Sequence, residues 1–231
     1  LYMAYISQET IHKKYIKNIL TPECLEFISK LHNRFSSELS KKHKNILHFR
    51  DDTKNIRDLN WTIGTLPKYL LCRHVEITGP ASNTKMMINA INSEADGYMA
   101  DLEDSMTPTF ENVIKAHNNI KKAIRDQLTY ETTGKRYEIQ RNIKYMFVRP
   151  RGLHLKELGK GNQPINATLF DIAVYMFHNA KFLTANGNHP LLYIPKLENY
   201  EQAILVNEML DQMETMLEIP HGSTKVTLLI E

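Results

Sequence analysis

Cysteine is nearly missing from this chain: Cys24 and Cys72 are the only two thiols in 231 residues. Two thiols build neither a disulfide framework nor a paired metal knuckle, and this usage fits a reducing compartment. An excess of either charge is missing too. A net charge of +3 is too small to argue for nucleic acid, and no stripe of Arg and Lys interleaves with aromatics as a nucleic-acid face requires. The longest apolar runs fall far short of the roughly 18 residues of a membrane span. No secretory leader is visible, no stretch repeats, and no segment is of low complexity. The chain does not open on Met. It begins Leu1-Tyr2, which reads as a trimmed or processed piece of something longer, with any address at a true terminus outside it. What remains is ordinary for a globular protein, 42% hydrophobic and 24% charged. That is enough to bury a core as one large domain, or one domain plus an arm.

The most organised stretch runs from Arg73 to Ser105. Val75 and Ile77 read as a short strand stopped by Gly79-Pro80. Asn83 can accept from the exposed N–H groups of a following helical turn. Met87, Ala90, Ile91 and Ala95 recur at helical spacing up to a stop at Gly97. Tyr98 to Asp104 then reads as a second strand carrying Asp101, Glu103 and Asp104. Two strands joined through a helix lie parallel, and ligands in such sheets collect beyond the carboxyl ends of the strands.

Upstream, Tyr15, Ile19, Leu25, Ile28, Leu31 and Phe35 form broken helical stripes, and Thr21-Pro22-Glu23 is a helix start. Lys41-Lys42-His43-Lys44 reads as a solvated end or loop. Arg50 to Leu71, around Trp61 and Pro67, reads as an ordered connection. Downstream, Thr109 caps a helix whose apolar face includes His117, read as a core histidine. A polar hairpin around Thr133-Gly134-Lys135 precedes a strand, Tyr145 to Arg149, with Arg151 beyond it. Thr168 opens a helix closed by Gly187, Leu191 to Lys196 is a fourth strand, and Asn199 with Gln202 makes a capping box. The helix after it carries a Met209/Met213 stripe read as core filling. Lys225 to Glu231 is a fifth strand.

Five strands separated by helices, each ending in chemistry, follow the pattern of a (β/α)₈ barrel. The five ends carry Glu76/Thr78, Asp101/Glu103/Asp104, Arg149/Arg151, Lys196/Glu198 and Glu231. Carboxylates from separate strands facing arginines suit a hard divalent cation, Mg²⁺ before Zn²⁺, because every candidate ligand atom is oxygen.

The run Ile56-Arg57-Asp58-Leu59-Asn60-Trp61, then RHVEITGP, YMADLEDS, FVRPRGLHL, TLFDIAVYMFHN, LLYIPKLE and KVTLLIE, resembles malate synthase of the A (glyoxysomal and bacterial) type over residues 50 to 231. The first fifty residues resemble that family's helical N-terminal region only loosely. The resemblance implies an incomplete TIM barrel of about five of eight strands (residues 73–231) behind a helical N-terminal region and connection (residues 1–72). It implies condensation of glyoxylate with acetyl-CoA to malate and CoA, with Mg²⁺ as cofactor. It also implies roles. Arg149 faces the enolate oxygen, Glu231 ligates the metal, and Glu103 and Asp104, with Asp101 a weaker candidate, form the acidic floor that orients metal-bound water.

The family's second metal carboxylate and its aspartate base fall on segments this chain does not include, and Lys156 stands where the family has proline. The chain by itself is therefore expected to be inactive, its barrel completed by the remainder of the polypeptide or by a partner chain. Two alternatives stay open at this stage: an inactive structural subunit of a larger assembly, and a citryl- or malyl-CoA lyase-like enzyme. The family works in peroxisomes or glyoxysomes and in the cytoplasm, with the mitochondrion also open, and no address in this chain decides among them.

Overall fold

The computed structural model describes residues 13–41, 53–141, 143–157 and 164–230. Most of the Lys41–Lys44 charge run and the expected metal ligand Glu231 lie outside the described residues. Five strands form one parallel sheet: β1 (Glu76–Pro80), β2 (Gly97–Asp101), β5 (Tyr145–Arg149), β8 (Leu191–Leu197) and β9 (Lys225–Ile230), in the spatial order β1-β2-β5-β8-β9. The sheet is an open, incomplete barrel. Two short antiparallel pairs are inserted between its strands, β3 (Thr129–Thr132) with β4 (Lys135–Glu138), and β6 (Lys156–Glu157) with β7 (Ile165–Asn166). The first pair is the expected polar hairpin.

Helices α1 (Lys13–Ile19), α2 (Pro22–Leu39), α4 (Thr84–Ile91), α5 (Phe110–Ala123), α6 (Ala167–Ala185) and α7 (Tyr200–Met216) are packed around one face of the sheet, while a short α3 (Lys54–Arg57) sits in the exposed connection. Side-chain caps mark the starts of the longer helices α2, α4, α5, α6 and α7. Thr21 accepts from Cys24 N, Asn83 from Met86 N, Thr109 from Asn112 N and Asn199 from Gln202 N, each satisfying an amide left over by the first turn. Gln202 Oε1 in turn accepts from the amide of Glu198, one residue earlier than in a capping box.

Alternation along the strands sorts the two faces. Tyr98, Ala100, Val148, Leu192 and Ile194 join the helices in the main core, which also takes in Ile28, Leu31 and Phe35 of α2 and the expected Met209 and Met213. Met99, Tyr145, Phe147 and Leu191 point to the concave face, where Leu70 of a 3₁₀ turn (Lys68–Leu70) covers them. The guanidinium of Arg73 lies on that same face, 5.0 Å from the Phe147 ring centroid.

Several boundaries differ from expectation for identifiable reasons. β1 continues through Gly79-Pro80 instead of turning there, since a proline at the last residue of an edge strand breaks no ladder bond. α4 stops at Ile91, short of Ala95, because Ser93 Oγ donates to Ala90 O at 2.7 Å and accepts from Ala95 N at 3.2 Å, a local turn that competes with the helix. Gly97 starts β2 rather than closing α4. A Cβ there would lie 1.9 Å from a Tyr145 ring carbon. The cap of α6 is Asn166, whose side chain accepts from Leu169 N, and not Thr168, whose hydroxyl donates to Arg151 O at 2.6 Å.

Candidate active site

Parallel register places Pro80, Asp101 and Arg149 side by side at the carboxyl ends of β1, β2 and β5. Asp101 is wholly buried and spends both oxygens there. Its Oδ1 accepts from Arg149 Nε at 2.7 Å and from Glu103 N at 2.8 Å; its Oδ2 accepts from Arg149 Nη2 at 2.6 Å and from Ser105 N at 2.9 Å. Burial alone would raise the Asp101 carboxyl, yet these donors, Arg149 foremost, hold it below the usual carboxylate range. The same fork holds the Arg149 guanidinium above its ordinary value. Asp101 thus aims Arg149 in two directions at once, as bidentate geometry does. The guanidinium nitrogen left over, Nη1, lies 3.4 Å from Asp104 Oδ2.

Beyond Asp101 the chain turns so that Glu103 is buried and Asp104 is exposed. Glu103 has a side chain only 3% exposed, with Lys196 Nζ 3.2 Å from its Oε1. That approach is off a hydrogen-bond line, so neither Glu103 oxygen accepts a hydrogen bond among the described residues. A buried carboxylate left in this condition is costly unless a cation or bound water completes it. Gly152 makes its position available: a Cβ there would stand 2.9 Å from Glu103 Oε1 and 2.7 Å from a His154 ring carbon.

Lys196 completes the group from the other side. Its ammonium donates to Asp104 Oδ1 at 2.8 Å, and Asp104, then Glu103, raise it above its ordinary value. It reaches this spot through an unusual backbone. Lys196 has φ +54°, and the pairing of β8 with β9 shifts register between Ile194 and Leu197. A non-glycine residue in that conformation costs roughly 1 kcal/mol or more, and such bulges re-aim side chains at sheet ends. The alternation of β8 marked Lys196 as a strand-end residue, but its bridge to two carboxylates depends on the bulge and had no signal in the sequence.

Three carboxylates and two cations therefore converge at neighbouring strand ends. Glu103 with its unsatisfied oxygens and Asp104 beside it form an all-oxygen donor set that fits a hard divalent ion such as Mg²⁺.

Other strand-end residues went elsewhere. Glu76 is the first residue of β1, in register with Gly97 and Tyr145, at the opposite end of the sheet from Arg149. Thr78 lies mid-strand, and Glu198 is exposed beyond β8. Arg151 is buried in the helix layer, where its Nε and Nη2 donate to Asp171 at 2.9 and 2.8 Å and its Nη1 lies 2.6 Å from Glu157. Burial pushes the Asp171 carboxyl up, but the charge and hydrogen bonds of Arg151 together with His117 outweigh it and bring it down to about 2. His117 is the buried core histidine expected, its Nε2 3.6 Å from Asp171 Oδ1. Together these groups fasten the turn after β5 onto α6.

Comparison with known proteins bears on the family of the fold. Residues 145–231 match the family profile "Malate synthase, TIM barrel domain". Nearly the whole chain aligns with named relatives. A malate synthase of Myxococcus xanthus is 38% identical over 96% of this chain and 43% of its own length. Malate synthase A of Escherichia coli is 36% identical over 93% of this chain and 43% of its own length. A bifunctional glyoxylate cycle protein of Caenorhabditis elegans is 39% identical over 93% of this chain and 24% of its own length. The chain thus spans less than half the length of the relatives it matches. On the barrel profile, the extended alignments and the parallel five-stranded sheet together, it belongs to the malate synthase family, of whose TIM barrel it forms an incomplete part.

Proposed function

We propose that this chain supplies the acidic floor and the enolate-facing arginine of a malate synthase, the whole protein condensing glyoxylate with acetyl-CoA and hydrolysing malyl-CoA to malate and CoA. One observation carries the reading: the buried, unsatisfied Glu103 carboxylate stands beside a guanidinium already locked by Asp101, at the strand ends where TIM barrels place their chemistry.

Glu103 and Asp104 would hold Mg²⁺ through its water shell, with Glu231 as the direct ligand. Bound there, Mg²⁺ supplies Lewis-acid polarisation of the glyoxylate carbonyl. The remaining work falls to protein groups. Arg149 offers Nη1 to the oxygen that becomes negative when the thioester methyl loses its proton. Asp101 has fixed the guanidinium plane beforehand, so little reorganisation accompanies that charge. No residue of this chain is assigned as the base. An adjoining cleft of about 690 Å³ is bordered by Lys41, Lys156 and Lys196 together with Glu38 and Glu198, and its lysines offer donors to the phosphates of an acyl-CoA.

The test is release of free CoA thiol from acetyl-CoA by the intact protein, with glyoxylate and Mg²⁺ each added and withheld. Release that requires both, and stops with chelator, is the expected result. No glyoxylate-dependent release from a metal-loaded protein would refute the reading and leave a silent structural relative. Cleavage of malyl-CoA to glyoxylate and acetyl-CoA without hydrolysis would point to a lyase.

A further inference from the structure

We propose that Lys196 is the pocket's resident counter-cation: its ammonium holds Glu103 and Asp104 while no metal is bound, and releases both carboxylates when a divalent cation enters. The proposal rests on reading the pocket as a Mg²⁺ site. Its support is local. Arg149 is committed to Asp101 through Nε and Nη2, so it can do little for Glu103. Lys196 is the ammonium placed against both acids, at 3.2 Å from Glu103 and 2.8 Å from Asp104. The backbone at Lys196 adopts a left-handed conformation at a register shift, and that conformation aims the side chain into the pocket.

The two cations of the pocket differ in a way that matters. Arg149 is a planar fork fixed by two parallel hydrogen bonds. Lys196 is a point charge on four methylenes, with a side chain 32% exposed. A divalent ion approaching Glu103 and Asp104 repels the ammonium, and the flexible stem lets it withdraw to solvent. The acids are thus never left together without a cation. The consequence is competition: metal affinity is lower than these carboxylates would give by themselves.

Mg²⁺ binding is measured by titration calorimetry on the intact protein stripped with chelator, in the absence of substrates. Lys196→Met keeps the stem and removes the charge, and should bind Mg²⁺ about tenfold more tightly than wild type. In chelator it should melt at a lower temperature than wild type. Lys196→Arg should restore near wild-type affinity, and Lys30→Met, on the exposed face of α2, controls for net charge. Should the Met variant fail to fold, Lys196→Gln carries the same expectation. Unchanged or weaker Mg²⁺ binding by a folded, uncharged variant overturns the proposal and leaves the metal site standing. A wild-type protein that binds no Mg²⁺ overturns the metal reading itself, and the proposal with it.

Discussion

Substituting Asp101 by Asn keeps its shape and removes only the charge and one acceptor, which makes it the sharpest probe of the site. Each Asp101 oxygen accepts one hydrogen bond from Arg149 and one from a backbone amide. An Asn side chain has one oxygen and one NH₂, so whichever way it turns, one Arg149 donor and one amide meet another donor. Losing the charge-assisted bond costs about 1.5–3 kcal/mol, and the orphaned amide about 1–3 more. Together these come to roughly 2.5–6 kcal/mol, bracketing the roughly 3–5 kcal/mol typical of breaking one partner of a buried ion pair. Asp104 provides the contrast. Its side chain is 57% exposed, so Asp104→Asn should cost no more than about 1 kcal/mol although it also touches Arg149 and Lys196. Urea unfolding at neutral pH, with the midpoint read at constant slope, separates the two. The Asp101 variant should also lose at least about tenfold in kcat, because Arg149 no longer meets the enolate oxygen in a fixed plane. Equal and small stability losses for the two variants would refute the assignment of Asp101 as the anchor of Arg149.

Further expectations follow from the same contacts. Arg149→Ala should lower kcat by about 10²-fold, the loss typical of one oxyanion donor, and near-normal turnover would remove Arg149 from the chemistry. Glu231→Gln should weaken the Mg²⁺ dependence of turnover, and an unchanged Mg²⁺ titration counts against it as a ligand. Gly97→Ala sets a methyl against the Tyr145 ring and should cost about 1–3 kcal/mol or more, seen as a fall in Tm. Burial holds the His178 imidazole down at about 4 from 6.5, against its donation from Nε2 to Ile19 O. Its contribution is complete above pH 6.5 and is lost as pH falls toward 4, to a limit of about 3 kcal/mol. His178→Gln should flatten the stability profile across that window, and an unaltered profile assigns the acid sensitivity to other groups.

The architecture was largely legible because its signals are local. Side-chain caps at Thr21, Asn83, Thr109 and Asn199 mark helix starts through hydrogen bonds spanning three residues, and strand–helix alternation dictates parallel pairing. Errors appeared where the deciding contact was distant. Gly97 reads as a helix stop in sequence, but its reason for being glycine is the Tyr145 ring on the neighbouring strand. Glu76 reads in sequence as a strand-end residue, but β1 runs on to Pro80 and no local signal announces that extension.

The site shows the same limit more sharply in Arg149 and Arg151. They stand two residues apart and, by strand alternation, should share one face and one role. They do not, because β5 ends between them. Arg149, still in the ladder, lies beside Asp101 on the adjoining strand and remains at the pocket. Arg151, past the ladder, is drawn into the helix layer by Asp171, 20 residues later, whose carboxylate also accepts from the Arg151 amide at 2.9 Å. Which arginine meets substrate is therefore decided by where the carboxylate partners sit in space. One acid in β2 keeps a cation at the pocket, and one acid in α6 takes the other away to hold the wall in place.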